Sequence, residues 1–362
     1  MGTVLRNMKR LDGSAADIVI DGGKIAAIAP PGTGEGEVVA EGGCVSSGWI
    51  DMHVHAFREF KPYGDAIDEI GVKQGVTTIV DAGSCGADRI GELQAGGTRA
   101  ATRLLAFLNI SRIGLERIDE LSNPAWIDET AVREALRAYP DFIVGLKARI
   151  SSSVVKEQGI EPLRRARRLS EATGLSLMVH IGSGPPAIGE VMALLARGDI
   201  VTHYLNGKAN NLFNEEGLPL PVLLDAVARG VHLDVGHGSA SFSFRVAEQA
   251  RTAGLPLHTI STDIYESNRL SGPVYSLADV MSKFLYLGYS LQEVIDAVTV
   301  KAAQWLRRPE LGEIKVGGVA DLTLFDVVQG SKTLIDSEGE TRTADTYIQV
   351  KGAVIDGSYF AC

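Results

Sequence analysis

The stretch GWIDMHVHAF, residues 48–57, sets His53 and His55 two positions apart inside an apolar run, with Asp51 just before them. Side chains of an extended strand alternate faces, so the two imidazoles point one way while Met52 and Val54 point the other. Two imidazoles on one face of a strand can hold one metal ion, or can be two ordinary histidines. Further along, Lys147 stands in FIVGLKARI, His180 in LSLMVHIG, His203 in DIVTHYLN and Asp263 in LHTISTDIY. Four imidazoles and a carboxylate brought to one place would bind divalent metal, zinc above all.

Strands must bring them together. Apolar strand segments recur roughly every 25–35 residues through the middle of the chain, with helical patterns between them, as an α/β barrel requires. Eight can be counted: WIDMHVH, TTIVDAG, LLAFLNI, FIVGLKARI, LSLMVHIG, DIVTHYLN, VHLDVGHG and LHTISTDIY. Helical patterns such as DETAVREALRAYP and GIEPLRRARRLSEATG separate them, and several close on Gly, a common helix stop. Eight strand–helix units suit a closed TIM (β/α)8 barrel over residues 48–308 better than the rival doubly wound sheet. The C-terminal strand ends of such a barrel form its active-site mouth, which would gather His53, His55, Lys147, His180, His203 and Asp263 on one rim. His232 and His258 fall near strand starts and are read as structural. Residues 1–47 and 309–362 share another grammar, short β-rich pieces with Gly turns. They predict a small β-sandwich built from both termini.

Composition narrows the partners. The net charge of −10 argues against a general nucleic-acid or membrane surface. The basic run RRARR, Arg164 to Arg168, sits in a helical pattern and reads as a solvated helix face. Three cysteines, Cys44, Cys85 and Cys362, are no disulfide framework. With no apolar signal core at the N-terminus and no run of 18 apolar residues, the expected setting is reducing and cytoplasmic. The expected partner is a small molecule, and a homo-oligomer is compatible with the chain.

GWIDMHVH, GLK, VHIG, VTHYLN and STD together resemble the metal-binding signature of the amidohydrolase superfamily. IVIDGGKIAAI and GEIKVGGVADLTLFDV resemble its flanking β domain, so the likeness spans essentially the whole chain. The pattern is most similar to the dihydroorotase-like branch, in particular its subgroup of amidohydrolase/deacetylase metallohydrolases. That resemblance implies two divalent metal ions, bridged by an N6-carboxylysine that maps onto Lys147. Desolvation and nearby cations depress a lysine pKa, and the free amine can then add carbon dioxide to give a bridging carbamate. In the D-aminoacylase branch a cysteine in a similar CG context is a ligand, which makes Cys85 the alternative bridge, against a reading as a small buried residue.

Such a centre lowers the pKa of a bridging water to give hydroxide near neutral pH. Asp263 then serves as general base and, later, general acid. Dihydroorotases usually carry an arginine directly after the HxH; here Ala56 takes that place and Arg58 is displaced. The expectation is therefore hydrolysis of an amide or ester in a small acylated α-substituted carboxylic acid, an N-acyl amino acid or acyl hydroxy acid. Arg149 would bind the substrate carboxylate, and His237 and Tyr265 would line the pocket. The alternatives are cyclic-amide hydrolysis of dihydroorotase or hydantoinase type, or a non-catalytic scaffold, which would have lost metal ligands. A mononuclear deaminase would need a glutamate after His203, where the chain reads YLNGK.

Overall fold

The structure is a computed structural model, described here for residues 2–362. Both chain ends enter one sheet. Strands β1 (Thr3–Lys9), β2 (Ala15–Asp21), β3 (Lys24–Ala29), β4 (Glu37–Glu41) and β5 (Cys44–Ser47) come from the N-terminal end. After them β6 (Trp49–Val54), β7 (Val76–Ala82), β8 (Arg103–Asn109), β9 (Ile143–Ile150), β10 (Leu177–Ile181), β11 (Ile200–Thr202) and β12 (His232–Asp234) run through the middle. Strands β13 (Leu322–Ile335), β14 (Thr341–Ile355) and β15 (Ser358–Ala361) return to the first sheet. Its order is β15-β14-β13-β5-β1-β2-β3, with β4 paired to β1. Gly22 and Gly23, both at positive φ, make the tight β2–β3 turn. Where the sequence predicts a sandwich, the observed unit is one eight-stranded sheet over a core that includes Leu5, Ile18, Ile25, Leu322 and Val354.

Strands β6 to β12 form a second, all-parallel sheet in sequential order. Each of its seven strands is followed by a helical connection, and helices such as Glu129–Ala138, Glu161–Thr173 and Phe244–Thr252 cover it with their apolar faces. The eighth expected strand, LHTISTDIY, is not a regular strand. It touches both sheet edges by single bridges, Asp234 with Thr259 and Val54 with Ile264. The cause lies in its side chains. Thr262 spends its backbone N–H and hydroxyl on the Asp51 carboxylate (3.1 and 2.5 Å). Thr259 and Ser261 donate to Asp234, each at 2.7 Å. Asp263 sits at φ 52°, which no ladder accommodates. Buried carboxylates thus replace the ladder where the two edges of the sheet meet.

The β13–β14 hairpin is far longer than an ordinary pair, with strands of 14 and 15 residues. Its base pairs with β5, and two register shifts add twist along its length. Its outer part crosses the helix Leu277–Tyr286, where Ile348 N–H donates to Ser282 Oγ at 3.0 Å. The tip, Asp336 to Glu340, lands on the segment after β12. Phe244 N–H donates to Asp336 Oδ2 (2.9 Å), Ser337 Oγ to Gly238 O (2.8 Å) and Ser243 Oγ to Glu338 Oε2 (2.7 Å).

Candidate metal centre

His53 lies on β6 and His55 just past its end, and both are buried. Their Nδ1 atoms are held from behind by hydroxyls. His53 Nδ1 lies 2.9 Å from Thr202 Oγ1, which donates to Asp234 at 2.7 Å. His55 Nδ1 lies 2.8 Å from Ser84 Oγ, whose backbone N–H donates to Asp81 at 2.7 Å. Both Nε2 atoms face Asp263 Oδ1, at 3.4 Å from His53 and 3.1 Å from His55. A hydrogen bond behind each ring fixes its orientation and leaves Nε2 for a ligand.

His203, directly after β11, turns Nδ1 to the carbonyl oxygen of Gly236 at 2.5 Å. Its Nε2 is buried without a hydrogen-bond partner among the described residues. A buried, unpaired imidazole nitrogen is costly, and binding a metal ion is one way to satisfy it. His180 packs edge-on against this ring, centroids 4.4 Å apart. Among the described residues, His53, His203 and Asp263 form the cluster of potential ligand atoms that all lie within 4.8 Å of one another.

Lys147, near the middle of β9, is fully buried, with Nζ 3.4 Å from His53 Nε2. Burial pulls its pKa down to about 7. The DAGSCG turn makes room for it: a methyl group on Gly83 would lie 2.6 Å from Lys147 Cβ and Cγ. Burial, then the neighbouring Lys147, lowers the His53 pKa to about 4, and burial likewise drives His180 and His203 well below the ordinary range. All three rings are neutral at pH 7, the form that binds metal. Burial works to raise the Asp263 pKa, but the surrounding histidines, His53 first, hold it below the ordinary carboxylate range. Neutral imidazoles, an anionic carboxylate and a lysine able to lose its proton make a donor set that fits divalent metal.

Cys85 stands apart from this set. It is buried within the main apolar core, and burial raises its thiol pKa well above the usual value. Arg149 does reach the cavity wall, but Glu120 already holds it by two 2.7 Å bonds from Nε and Nη2. His237 is wholly buried and does not line the cavity; Lys283 Nζ sits 2.8 Å from its Nε2. Strand alternation could not foresee this, because His237 lies past β12, where the chain turns through Gly236 and Gly238 at positive φ. Tyr265 lines the cavity and pairs with Ser239 Oγ at 2.7 Å. Arg58 is exposed and lies outside the cavity. His232 and His258 stack on each other, centroids 4.7 Å apart, at the opposite end of β12. Sequence reasoning missed Lys208 and Glu120; a lone lysine or glutamate in an irregular loop carries no periodic signal. It also passed over Asp81 and Asp234, although an Asp within an apolar strand is itself a signal of a buried network.

A family model described as a deacetylase-like composite domain matches residues 314–360. A deacetylase from Enterococcus faecalis is 40% identical, covering 99% of this chain and 98% of its own. A deacetylase from Agrobacterium fabrum is 35% identical over 96% of this chain and 87% of its own. The crystal structure of an adenine deaminase superposes with a TM-score of 0.95 at 39% identity, covering 99% of each chain. That of a dihydroorotase gives 0.92 at 34% identity, covering 99% of this chain and 98% of the other. Fold and site are those of a metal-dependent amidohydrolase. Within that class the chain belongs to the deacetylase family of the dihydroorotase-like branch.

Proposed function

We propose that this chain hydrolyses the amide or ester bond of a small acylated α-substituted carboxylic acid, on a (β/α)8 barrel whose mouth holds two divalent ions. The observation that carries the reading is the convergence of His53, His203 and Asp263, with the orphaned Nε2 of His203, in a member of the deacetylase family. His53, His55 and Asp263 would hold one ion and His180 and His203 the other, with Lys147, as its carbamate, between them. Zinc suits these nitrogen and oxygen donors. When bound, such ions supply an activated water and polarise the acyl carbonyl.

The chain's own groups do the rest. Asp263 Oδ1 takes the proton of the attacking water and returns it to the leaving nitrogen or oxygen. Its Oδ1 lies 3.1 and 3.4 Å from the two imidazoles of the HxH, which places the proton carrier at the centre of the cluster. Thr202 and Ser84 keep the two rings from rotating. A cavity of about 220 Å³ beside this cluster has room for a small substrate and little more.

The relatives carry three different activity names, and residues on this chain favour one. Ala56 stands where a dihydroorotase has its arginine, and its N–H is spent on Asp81 at 2.8 Å. No glutamate follows His203 for deaminase chemistry, while Lys147 would be left without a role. The test couples metal analysis to a hydrolysis screen of N-acyl-D- and L-amino acids, acyl hydroxy acids, dihydroorotate, hydantoins and adenine. Two ions per chain and turnover of the acyclic acids are expected. Full activity with one ion, or faster turnover of dihydroorotate or adenine, would overturn the reading.

A further inference from the structure

Resting on that substrate class, we infer that Lys208, and not Arg149, receives the carboxylate of the substrate. The two cations share the cavity wall, but their situations differ. Arg149 is matched by Glu120, whose side chain is fully buried, and Nη2 also donates to Ile118 O at 2.7 Å. A substrate anion brought to that guanidinium would meet the Glu120 carboxylate beside it. The pair is neutral as a unit, and its evident work is to pin the loop that carries Ile118 over the cavity.

Lys208 has no such partner: among the described residues, no carboxylate lies within 4.0 Å of its ammonium, and the Asp263 carboxylate faces the same cavity. Its placement is built. Asn206 donates from Nδ2 to His203 O at 2.8 Å and accepts the Lys208 N–H at 3.1 Å, so HYLNGK ties the lysine backbone to the backbone of His203. A methyl group on Gly182 would lie 3.5 Å from both Lys208 Nζ and His180 Nε2. The glycine therefore opens a common space between the ammonium and the imidazole. Ser151 and Ser183 line the same part of the cavity and bring hydroxyls for the second carboxylate oxygen. A carboxylate held by Nζ there puts the α-carbon beside His180 and leaves the acyl group attached to it to face His53, His55 and Asp263 across the same cavity. This also gives Ala56 a reason: the anion is met by the segment after β11 and not by the one after β6.

The experiment compares the wild type with Lys208→Met, Lys208→Arg and Arg149→Lys on N-acetylalanine and O-acetyllactate, both enantiomers of each, against their neutral carboxamides, with metal content measured throughout. A charge-assisted hydrogen bond lost to Met should cut kcat/KM on the acids by about 10–100-fold, chiefly through KM. The carboxamides should change less than about threefold, metal content should hold, and Lys208→Arg should recover part of the loss. Binding of free lactate, followed by thermal shift, should weaken in the same variant. Equal losses on acids and carboxamides, or an acid-selective loss confined to Arg149→Lys, would overturn the inference. Wild type that turns over none of the acids overturns the substrate reading, and this inference with it; wild type that favours the acids while Lys208→Met behaves normally overturns this inference alone.

Discussion

The Nδ1 of His203 lies 2.5 Å from the carbonyl oxygen of Gly236, and a methyl group on Gly236 would lie 2.8 Å from that same nitrogen. One residue thus both orients the ring and leaves space for it, at φ 49° where a side chain is strained in any case.

A methyl group on Gly236 would also run into Thr202 Oγ1, which holds His53, so Gly236→Ala should disturb both His203 and His53 and weaken metal binding, by about 10–100-fold as for other groups that hold a ligand from behind. Chelator competition reads the affinity directly. Gly254→Ala is the control: it has φ 67° and nothing within 4 Å of an added methyl. It should lose a little stability and no metal. Equal metal affinity in the two variants would count against His203 and His53 as ligands.

Lys147→Ala should lose metal and activity together, and short carboxylic acids with bicarbonate should restore part of both. Gly83→Ala should act in the same direction by crowding the Lys147 stem. Cys85→Ala should keep its metal; the reverse pattern would make Cys85 the bridge.

The same lysine sets a pH dependence. In the metal-free protein burial lowers its pKa from 10.5 to about 7. Between those values the unfolded chain binds the extra proton, so this group makes the folded metal-free protein more stable as pH rises through that window. The free amine, which alone takes up carbon dioxide, is lost as pH falls below about 7. Reconstitution with metal and bicarbonate should accordingly slow below that pH. A reconstitution rate that stays flat from pH 6 to 8 would contradict it.

Asp263→Asn keeps the shape and an oxygen donor but cannot carry a proton. Positioned proton transfer is worth about 10²–10⁴ in rate, so kcat should fall by that much with metal largely retained. Near-normal kcat would remove Asp263 from the role of proton shuttle.

Arg149→Met should unfold the protein more readily rather than merely weaken substrate binding. It strands the buried Glu120 carboxylate, which typically costs about 3–5 kcal/mol. Denaturant melts of the single variant and of Arg149→Met with Glu120→Gln separate the effects, since the double variant should recover much of the loss.

The strand periodicity and the HxH were enough to mark His53, His55, Lys147, His180 and His203, because each sits on or just beyond a strand whose alternation can be read, whereas Asp263 belongs to a segment that reads as a strand and is not one. What was not legible follows from the same fact. His237 and Lys208 lie past strand ends, where glycine turns and side-chain hydrogen bonds decide direction. Arg149 sits on β9 with the expected orientation, yet its partner Glu120 arrives from a loop after β8, which no local pattern announces. The eighth strand reads as apolar and β-branched, but Asp51 and Asp234, from two other strands, claim its hydrogen-bonding groups.

The reach of the β13–β14 hairpin couples the chain's two architectures by length. Taking two residues from each strand would preserve pairing and faces but draw the tip back by about 7 Å. Asp336 would then no longer meet Phe244, nor Ser337 the carbonyl of Gly238, and a methyl on that glycine would lie 2.5 Å from Asp263 Oδ2. The tip is also synthesised after every strand that bears a candidate ligand. The wall of the mouth beside Asp263 thus takes hydrogen bonds from a part of the polypeptide made after all of its candidate ligands, and any chain cut short of Asp336 would keep those ligands while losing these bonds.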